Sequence, residues 1–405
     1  MSSILPFRAL RPAVSLAPLV ASRPYDVLNS TEAREAAKDN PHSFLHVTKS
    51  EIDLPETTDI HSAAVYEKAK ENLERFINEG TLVQEEKACY YIYQLTMNGR
   101  SQTGLVAVSS VEDYHQNLIK KHEFTRPEKE KDRIDHMYTI KAQTGNVFLA
   151  MRDVPALNQL MQAQKQKSPL YDFVAEDGVR HCIWVVNEDS SIEAITHLFR
   201  DQVPCTYIAD GHHRAASAAK VSAALPQHSA ARYFLTTIFP ASELAILDYN
   251  RVIKDLNGHS AASFIEKLRE DFLLQPSDKA VRPSKLHEFG MYLEGRWYCL
   301  QAKDGTYSTD PIGVLDVTIL TQRILEKRLG ITDQRTDTRI DFVGGIRGLQ
   351  ELEKRVDSKE MQVAFSLYPV SIEQLFAIAD SGEVMPPKST WFEPKLRDGL
   401  LTHLL

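Results

Sequence analysis

The residues that could do chemistry crowd most closely at Asp210-Gly211-His212-His213-Arg214, between a short apolar run at 206–209 and the alanine-rich stretch AASAAK at 215–220. The first flank reads as a strand and the second as a helix. A strand over 205–209, a tight turn at Asp210-Gly211 and a helix from Arg214 onward would put the backbone N–H groups of Gly211, His212 and His213 at a helix N-terminus. Such an end carries unpaired donors and about half a positive charge, so it attracts anions. His212, His213 and Arg214 add donors suited to phosphate, and Gly211 lets an anion approach the backbone. Asp210 would repel phosphate unless a cation stood between them. Mg²⁺ takes one or two carboxylates together with phosphate oxygens, which makes Asp210 the candidate metal ligand. The plain alternative is that Asp210 caps the helix and the histidines are surface or core residues.

Three further groups are candidates. In KKHEFTRP, residues 120–127, Glu123 is a lone carboxylate among His122, Arg126 and two lysines, an arrangement that can hold a general base ionised, or form a solvated charged loop. Pro386-Pro387-Lys388-Ser389-Thr390 is a rigid turn presenting a cation and two hydroxyls, or simply a surface turn. Arg23-Pro24-Tyr25-Asp26 offers Asp26, with packing and turn formation as its alternative.

Several function classes are excluded by what is missing. The sequence has no GxxxxGK[ST] loop, no kinase glycine-rich loop with HRD and DFG motifs, and no GxGxxG after a strand; Gly344-Gly345-Ile346-Arg347-Gly348 fits none of these. A phosphate site here must use another scaffold, or a donor without a nucleoside to grip. The formal charge of −8, from 55 acids against 47 bases, gives no basic field for nucleic acid or anionic lipid. No run approaches the roughly 20 apolar residues that span a bilayer. The four cysteines, Cys89, Cys182, Cys205 and Cys299, are far apart and fit a reducing compartment, so a cytoplasmic protein is expected. Residues 1–25 hold three arginines, four serines and no acid, as a transit peptide would, but Pro12, Pro18 and Pro24 break an amphipathic helix. That segment reads as extended chain packed on the fold.

The elements that must position these groups follow from periodicity. A helix is expected from Ser30 or Thr31 as N-cap, and an amphipathic one over 61–79 with Tyr66, Leu73 and Phe76 on its apolar face. Strands at 88–97 and 104–109 flank Asn98-Gly99, a strong hairpin signal. Residues 111–141 are charged and polar. Then come a strand at 181–187, a helix at 190–200, the corner at 205–225 and strands at 232–239 and 245–247. Beyond 250 the pattern restarts with a helix at 260–272, a hairpin at 289–302 around Glu294-Gly295, and a helix at 315–328. At 43% hydrophobic, 405 residues can fill two or three cores. Strand and helix without regular βαβ alternation predict an α+β fold, divided into 1–250 and 251–405.

Six ordered motifs carry a resemblance along essentially the whole chain: LPFRALRP at 5–12, RPYDV at 23–27, NPHSFLHVTKSEIDLP at 40–55, KKHEFTRPEKEKDRI at 120–134, ADGHHRAASA at 209–218 and MPPKSTWFEPKLRDGL at 385–400. Together they resemble the domain-of-unknown-function 1015 family. The resemblance implies a core like the ParB/sulfiredoxin fold, with α/β segments added at both ends. It also implies the activity of a free L-serine kinase, giving O-phospho-L-serine for cysteine synthesis, with pyrophosphate as donor. By motif, Glu123 is then the base; Asp210, His212 and His213 are catalytic; and Gly211, Arg214, His122, Arg126, Asp26, Lys388, Ser389 and Thr390 bind substrate or phosphate. Two departures stand out. Arg23 replaces a common proline, and Ala215-Ala216 replace larger residues after HHR, which would widen the pocket.

Other readings are an ATP- or ADP-dependent serine kinase, a ParB-like nucleic-acid-binding protein, a metal-dependent hydrolase using Asp210, His212 and His213, and an inactive interaction protein. The net charge and the lack of a basic stripe oppose nucleic acid. Adjacent histidines at a helix start diverge, which opposes a shared zinc. The sequence leaves the oligomeric state open.

Overall fold

A computed structural model describes residues 2–123, 125 and 127–405. The chain forms two compact units, Met1–Leu244 with Pro394–Leu405, and Ala245–Glu393. A split into 1–250 and 251–405 would leave the C-terminal segment with the second unit. Instead that segment bonds into the first, where Thr402 and Leu10 exchange backbone hydrogen bonds at 2.9 Å and His403 pairs with Gln143.

Among the described residues, the first unit holds a nine-stranded mixed sheet. Its strands are β1 (Ile4–Leu5), β2 (Tyr90–Met97), β3 (Arg100–Ser110), β4 (Ile119–Lys120), β5 (Val147–Met151), β6 (Tyr171–Val174), β7 (Arg180–Val186), β8 (Thr206–Asp210) and β9 (Tyr233–Pro240). Their order is β4-β8-β5-β9-β3-β2-β7-β6, with β1 also against β3. The pairs β4·β8 and β5·β9 are parallel and the others antiparallel, so the fold is mixed α+β as expected.

The Asn98-Gly99 signal makes its hairpin: both residues have positive φ, 52° and 77°, and Met97 faces Arg100. The amphipathic helix is Ala63–Asn78, and the one before it, Ser30–Ala37, takes Asn29 rather than Ser30 or Thr31 as N-cap. Asn29 wins because its side chain accepts from Glu32 N–H while Glu32 bonds back, a full capping box. Within 111–141 a helix, α1 (Pro127–Ile140), packs on α2 (His212–Ala224), and Ser217 Oγ donates to Glu130 O at 3.2 Å. The alanine-rich face of α2 makes close approach possible. Ala215, Ala218 and Ala219 are buried in one core with Ile208 of β8 and Leu149 of β5.

In the second unit six strands form an antiparallel sheet in the order Phe272–Ser277, Arg296–Ala302, Glu288–Leu293, Val363–Leu367, Tyr249–Ile253, Ile340–Gly344. The 289–302 hairpin turns through Glu294 and Gly295, both at positive φ. The helix expected over 260–272 ends at Leu268, because Phe272 already pairs with Ala302 as strand. The one expected over 315–328 is α-helical at Asp316–Leu320 and continues with π-helical bonding over Thr321–Glu326.

Candidate functional site

Two parallel neighbours in the sheet explain why distant motifs meet. β4 pairs with β8 through Ile119↔Thr206 and Lys120↔Tyr207. Both strands therefore leave the sheet at the same end, β4 into His122-Glu123 and β8 into Gly211-His212.

At the β8 exit the backbone turns through Gly211, φ +93°, which serves as N-cap, and α2 begins at His212. The helix thus starts two residues before the Arg214 expected from sequence. A Cβ on Gly211 would lie 3.2 Å from Arg214 Nε, tighter than an ordinary contact, and the backbone angle itself favours glycine. His212 and His213 become the first two helical residues, and their N–H groups fall among those a helix leaves without internal partners. Asp210 lies one residue before the cap, where its Oδ1 accepts from Gly211 N–H at 3.0 Å.

His212 is buried, its Nδ1 lies 3.8 Å from Glu123 Oε2, and its ring meets that of buried His122 edge to face at 4.6 Å. Burial pushes His122 down to about 4 and His212 well below its ordinary value; His122 lowers His212 further, outweighing the attraction of Asp210. Both rings are therefore neutral at neutral pH. His212 Nε2 and His122 Nδ1 are buried without a hydrogen-bond partner among the described residues. Thr125 Oγ1 donates to Glu130, which also pairs with Lys220 of α2. Burial disfavours the Glu130 carboxylate, but Lys220, Thr125 and, last, His213 overcome it and hold its carboxyl below the usual range.

Arg214, also buried, gathers carboxylates. Its Nη2 is 3.6 Å from Asp210 Oδ2 and 3.8 Å from Asp26 Oδ2, and its Nη1 donates to Asn146 O at the start of β5. Burial disfavours its charge, but Asp26 and Asp210 more than compensate and hold the guanidinium above its ordinary range. Burial likewise disfavours the Asp210 carboxylate, and Lys395 and Arg214 overcome it, keeping Asp210 ionised far below the usual range. Lys395 Nζ stands 3.2 Å from Asp210 Oδ2. Nearby, burial lifts Asp398 to about 7 against the pull of Arg214.

Glu123, His122, Asp210, Gly211, His212, Arg214 and Asp26 are thus brought together in the first unit, with His213 on the flank. Arg126 lies outside the described residues. Lys388, Ser389 and Thr390 belong to the second unit. There Lys388 takes a left-handed φ of 58°, Ser389 Oγ donates to Pro386 O at 2.6 Å, and buried Arg251 donates to Pro387 O at 3.1 Å. Among the described residues no group of three or more His, Cys, Asp or Glu converges as a metal cage. No helix is long and apolar enough to cross a membrane.

A family model described as a protein of unknown function, DUF1015, matches residues 4–318. The chain belongs to the DUF1015 family. No curated protein matches it in sequence. Among solved structures, this DUF1015 chain is similar to a conserved hypothetical protein from Pyrococcus furiosus, with 15% identity, 74% of this chain and 94% of that chain covered, and a TM-score of 0.36. It is similar to a free serine kinase in complex with AMP at 12% identity, covering 73% and 91%, TM-score 0.36. A C-terminally truncated SbnI from Staphylococcus aureus follows at 11% identity, 72% and 85%, TM-score 0.31.

Sequence reasoning on this DUF1015 chain missed Lys395, Asp398 and Asn146. The first two sit in the FEPKLRDGL half of the 385–400 motif, beyond the PPKST turn whose cation and hydroxyls stand out in sequence. The signal was present as a Lys-Leu-Arg-Asp run near a chain end; what it lacked was the return of that end to the first unit.

Proposed function

We propose that the chain is a phosphotransferase that makes O-phospho-L-serine from free L-serine, with pyrophosphate as donor, on a ParB/sulfiredoxin-like core. The observation that carries this reading is the meeting of Glu123 with the N-terminus of α2, a carboxylate base 3.8 Å from the first helical side chain of an anion-binding end. Phosphoryl transfer asks a protein for in-line positioning, neutralised oxygens and a base at the attacking hydroxyl. Glu123 accepts the serine hydroxyl proton as that oxygen bonds to phosphorus, and the bond from phosphorus to the bridging oxygen breaks, its electron pair leaving with orthophosphate. The N–H groups at the start of α2 hold the donor oxygens. His212 Nε2, buried and without a partner among the described residues, suits another ligand oxygen.

Mg²⁺ fits the same corner. Asp210 is ionised and one-third exposed, and a hard cation that keeps phosphate oxygens needs only one or two carboxylates. Asp210 would hold the ion, which when bound would supply charge neutralisation at the phosphates. The missing nucleoside-binding loops favour pyrophosphate over ATP or ADP as donor.

The test is incubation with L-serine, Mg²⁺ and, in separate arms, pyrophosphate, ATP and ADP, with phosphoserine read by mass spectrometry. Phosphoserine in the pyrophosphate arm, lost on chelation, is expected. Product only with a nucleotide would reassign the donor, and no product in any arm would overturn the reading.

A further inference from the structure

The DUF1015 match ends at residue 318, yet the segment Pro394–Leu405 returns to the first unit and places Lys395 on Asp210. The backbone there is pinned on both sides. Ser22 and Asp398 exchange hydrogen bonds at 3.1 and 2.9 Å, Leu405 N–H donates to Lys141 O at 2.9 Å, and the buried Arg397 guanidinium pairs with Asp177 at 2.6 Å. These bonds fix where the Lys395 side chain starts.

The charge balance shows what that lysine is for. A phosphate donor at the start of α2 enters a corner already lined by Asp26, Asp210 and Glu123. Arg214 is 9% exposed and bound to two carboxylates and the Asn146 carbonyl, so it is fixed. The Lys395 side chain is 23% exposed and carries its charge on a flexible stem with three rotatable donors. It can change partner where Arg214 cannot.

We propose that Lys395 is a phosphate-binding residue of this site: on donor arrival its ammonium moves from Asp210 Oδ2 to a phosphate oxygen. The inference rests on the phosphotransferase reading above, and it makes the C-terminal segment part of the active site rather than a trailing end.

The experiment is calorimetric titration of full-length protein with inorganic pyrophosphate, in Mg²⁺ and again in EDTA, for wild type, Lys395→Met, Lys395→Arg, Asp210→Asn and the Asp210→Asn/Lys395→Met double variant. Lys395→Met should weaken binding about tenfold or more, and Lys395→Arg should recover most of it, as for loss and rescue of one charge-assisted hydrogen bond. The loss should persist in the Asp210→Asn background. If Lys395 served only as the counter-ion of Asp210, the double variant would bind like Asp210→Asn alone, and that result overturns the proposal; so does unchanged affinity in Lys395→Met. Wild type that binds pyrophosphate normally but forms no phosphoserine defeats the serine kinase reading while leaving the Lys395 comparison decisive. Wild type that binds no pyrophosphate in either buffer defeats both. Melting temperatures of all variants separate lost binding from lost folding.

Discussion

Glu123 and His212 face each other, Oε2 to Nδ1 at 3.8 Å, with the imidazole buried and the carboxylate reaching solvent. Because burial keeps His212 neutral, the ring does not damp the basicity of its neighbour as an imidazolium would. The pair thus combines a base with a neutral hydrogen-bonding group at the head of an anion-binding helix.

Glu123→Gln keeps the shape and removes the base. Phosphoserine formation should fall by about 100-fold or more, the usual scale of general-base loss, while the pyrophosphate Kd stays within about twofold of wild type. Steady-state kinetics and calorimetry on the same preparation check both halves. A variant retaining near-normal turnover would remove Glu123 from the role of base.

Gly211→Ala tests the corner itself. Gly211 and Gly178 both have left-handed φ, +93° and +78°, but only at Gly211 would a Cβ meet neighbours, Arg214 Nε at 3.2 Å and Val147 Cα at 3.5 Å. Gly178→Ala should cost about 1 kcal/mol from backbone strain alone. Gly211→Ala should cost more than that and should also weaken pyrophosphate binding, because the displaced group is the guanidinium that holds Asp210. Equal losses in urea unfolding for the two variants would mean that Arg214 is not held by the space at Gly211.

The contrast between these glycines also shows how far the sequence could be read. The turns at Asn98-Gly99 and Asp210-Gly211 were legible because their chemistry is local: a few residues demand positive φ between two apolar segments. The α1 helix was not, since charges run around most of PEKEKDRIDHMYTI and leave only Ile134, Met137 and Ile140 to mark its buried side. The candidate residues of the corner were legible one by one, whereas their assembly was not. It depends on the parallel pairing of β4 with β8, two residues on each side, and on a C-terminal segment finding Ser22, Leu10 and Gln143. Pairings across such separations leave no periodic trace in either partner.

Acid should destabilise the first unit from a defined point. Burial holds His122 and His136 at about 4 and His212 well below 6.5, so the folded chain binds fewer protons than the unfolded one below the ordinary histidine value of 6.5. Their contribution is therefore complete above about pH 6.5 and is lost as pH falls toward 4, by about 1.4 kcal/mol per pH unit for each ring that stays neutral. Asp210, held low by Lys395 and Arg214 against its burial, acts in the same direction at still lower pH, while Asp398, lifted to about 7, opposes the histidines as pH falls from 7 toward 3.8. Urea unfolding across this range gives the slope, and the imidazole resonances of His122 give its titration. A His122 that titrates near 6.5 would contradict its burial against His212.

Asp316 in the second unit should behave in the opposite sense. Its Oδ1 accepts from His287 N–H at 2.8 Å, its Oδ2 is buried without a partner among the described residues, and burial lifts it to about 7 from an ordinary 3.8. With the folded value above the unfolded one, its contribution is complete below 3.8 and is lost as pH rises through 7. Asp316→Asn keeps the acceptor for His287 and has no charge to bury. Relative to wild type its stability should rise by on the order of 2–4 kcal/mol between about pH 4 and about pH 8, with little further change above that. Two urea melts at each pH measure it, and a difference that is flat with pH would show that the Asp316 carboxyl reaches solvent or a partner in solution.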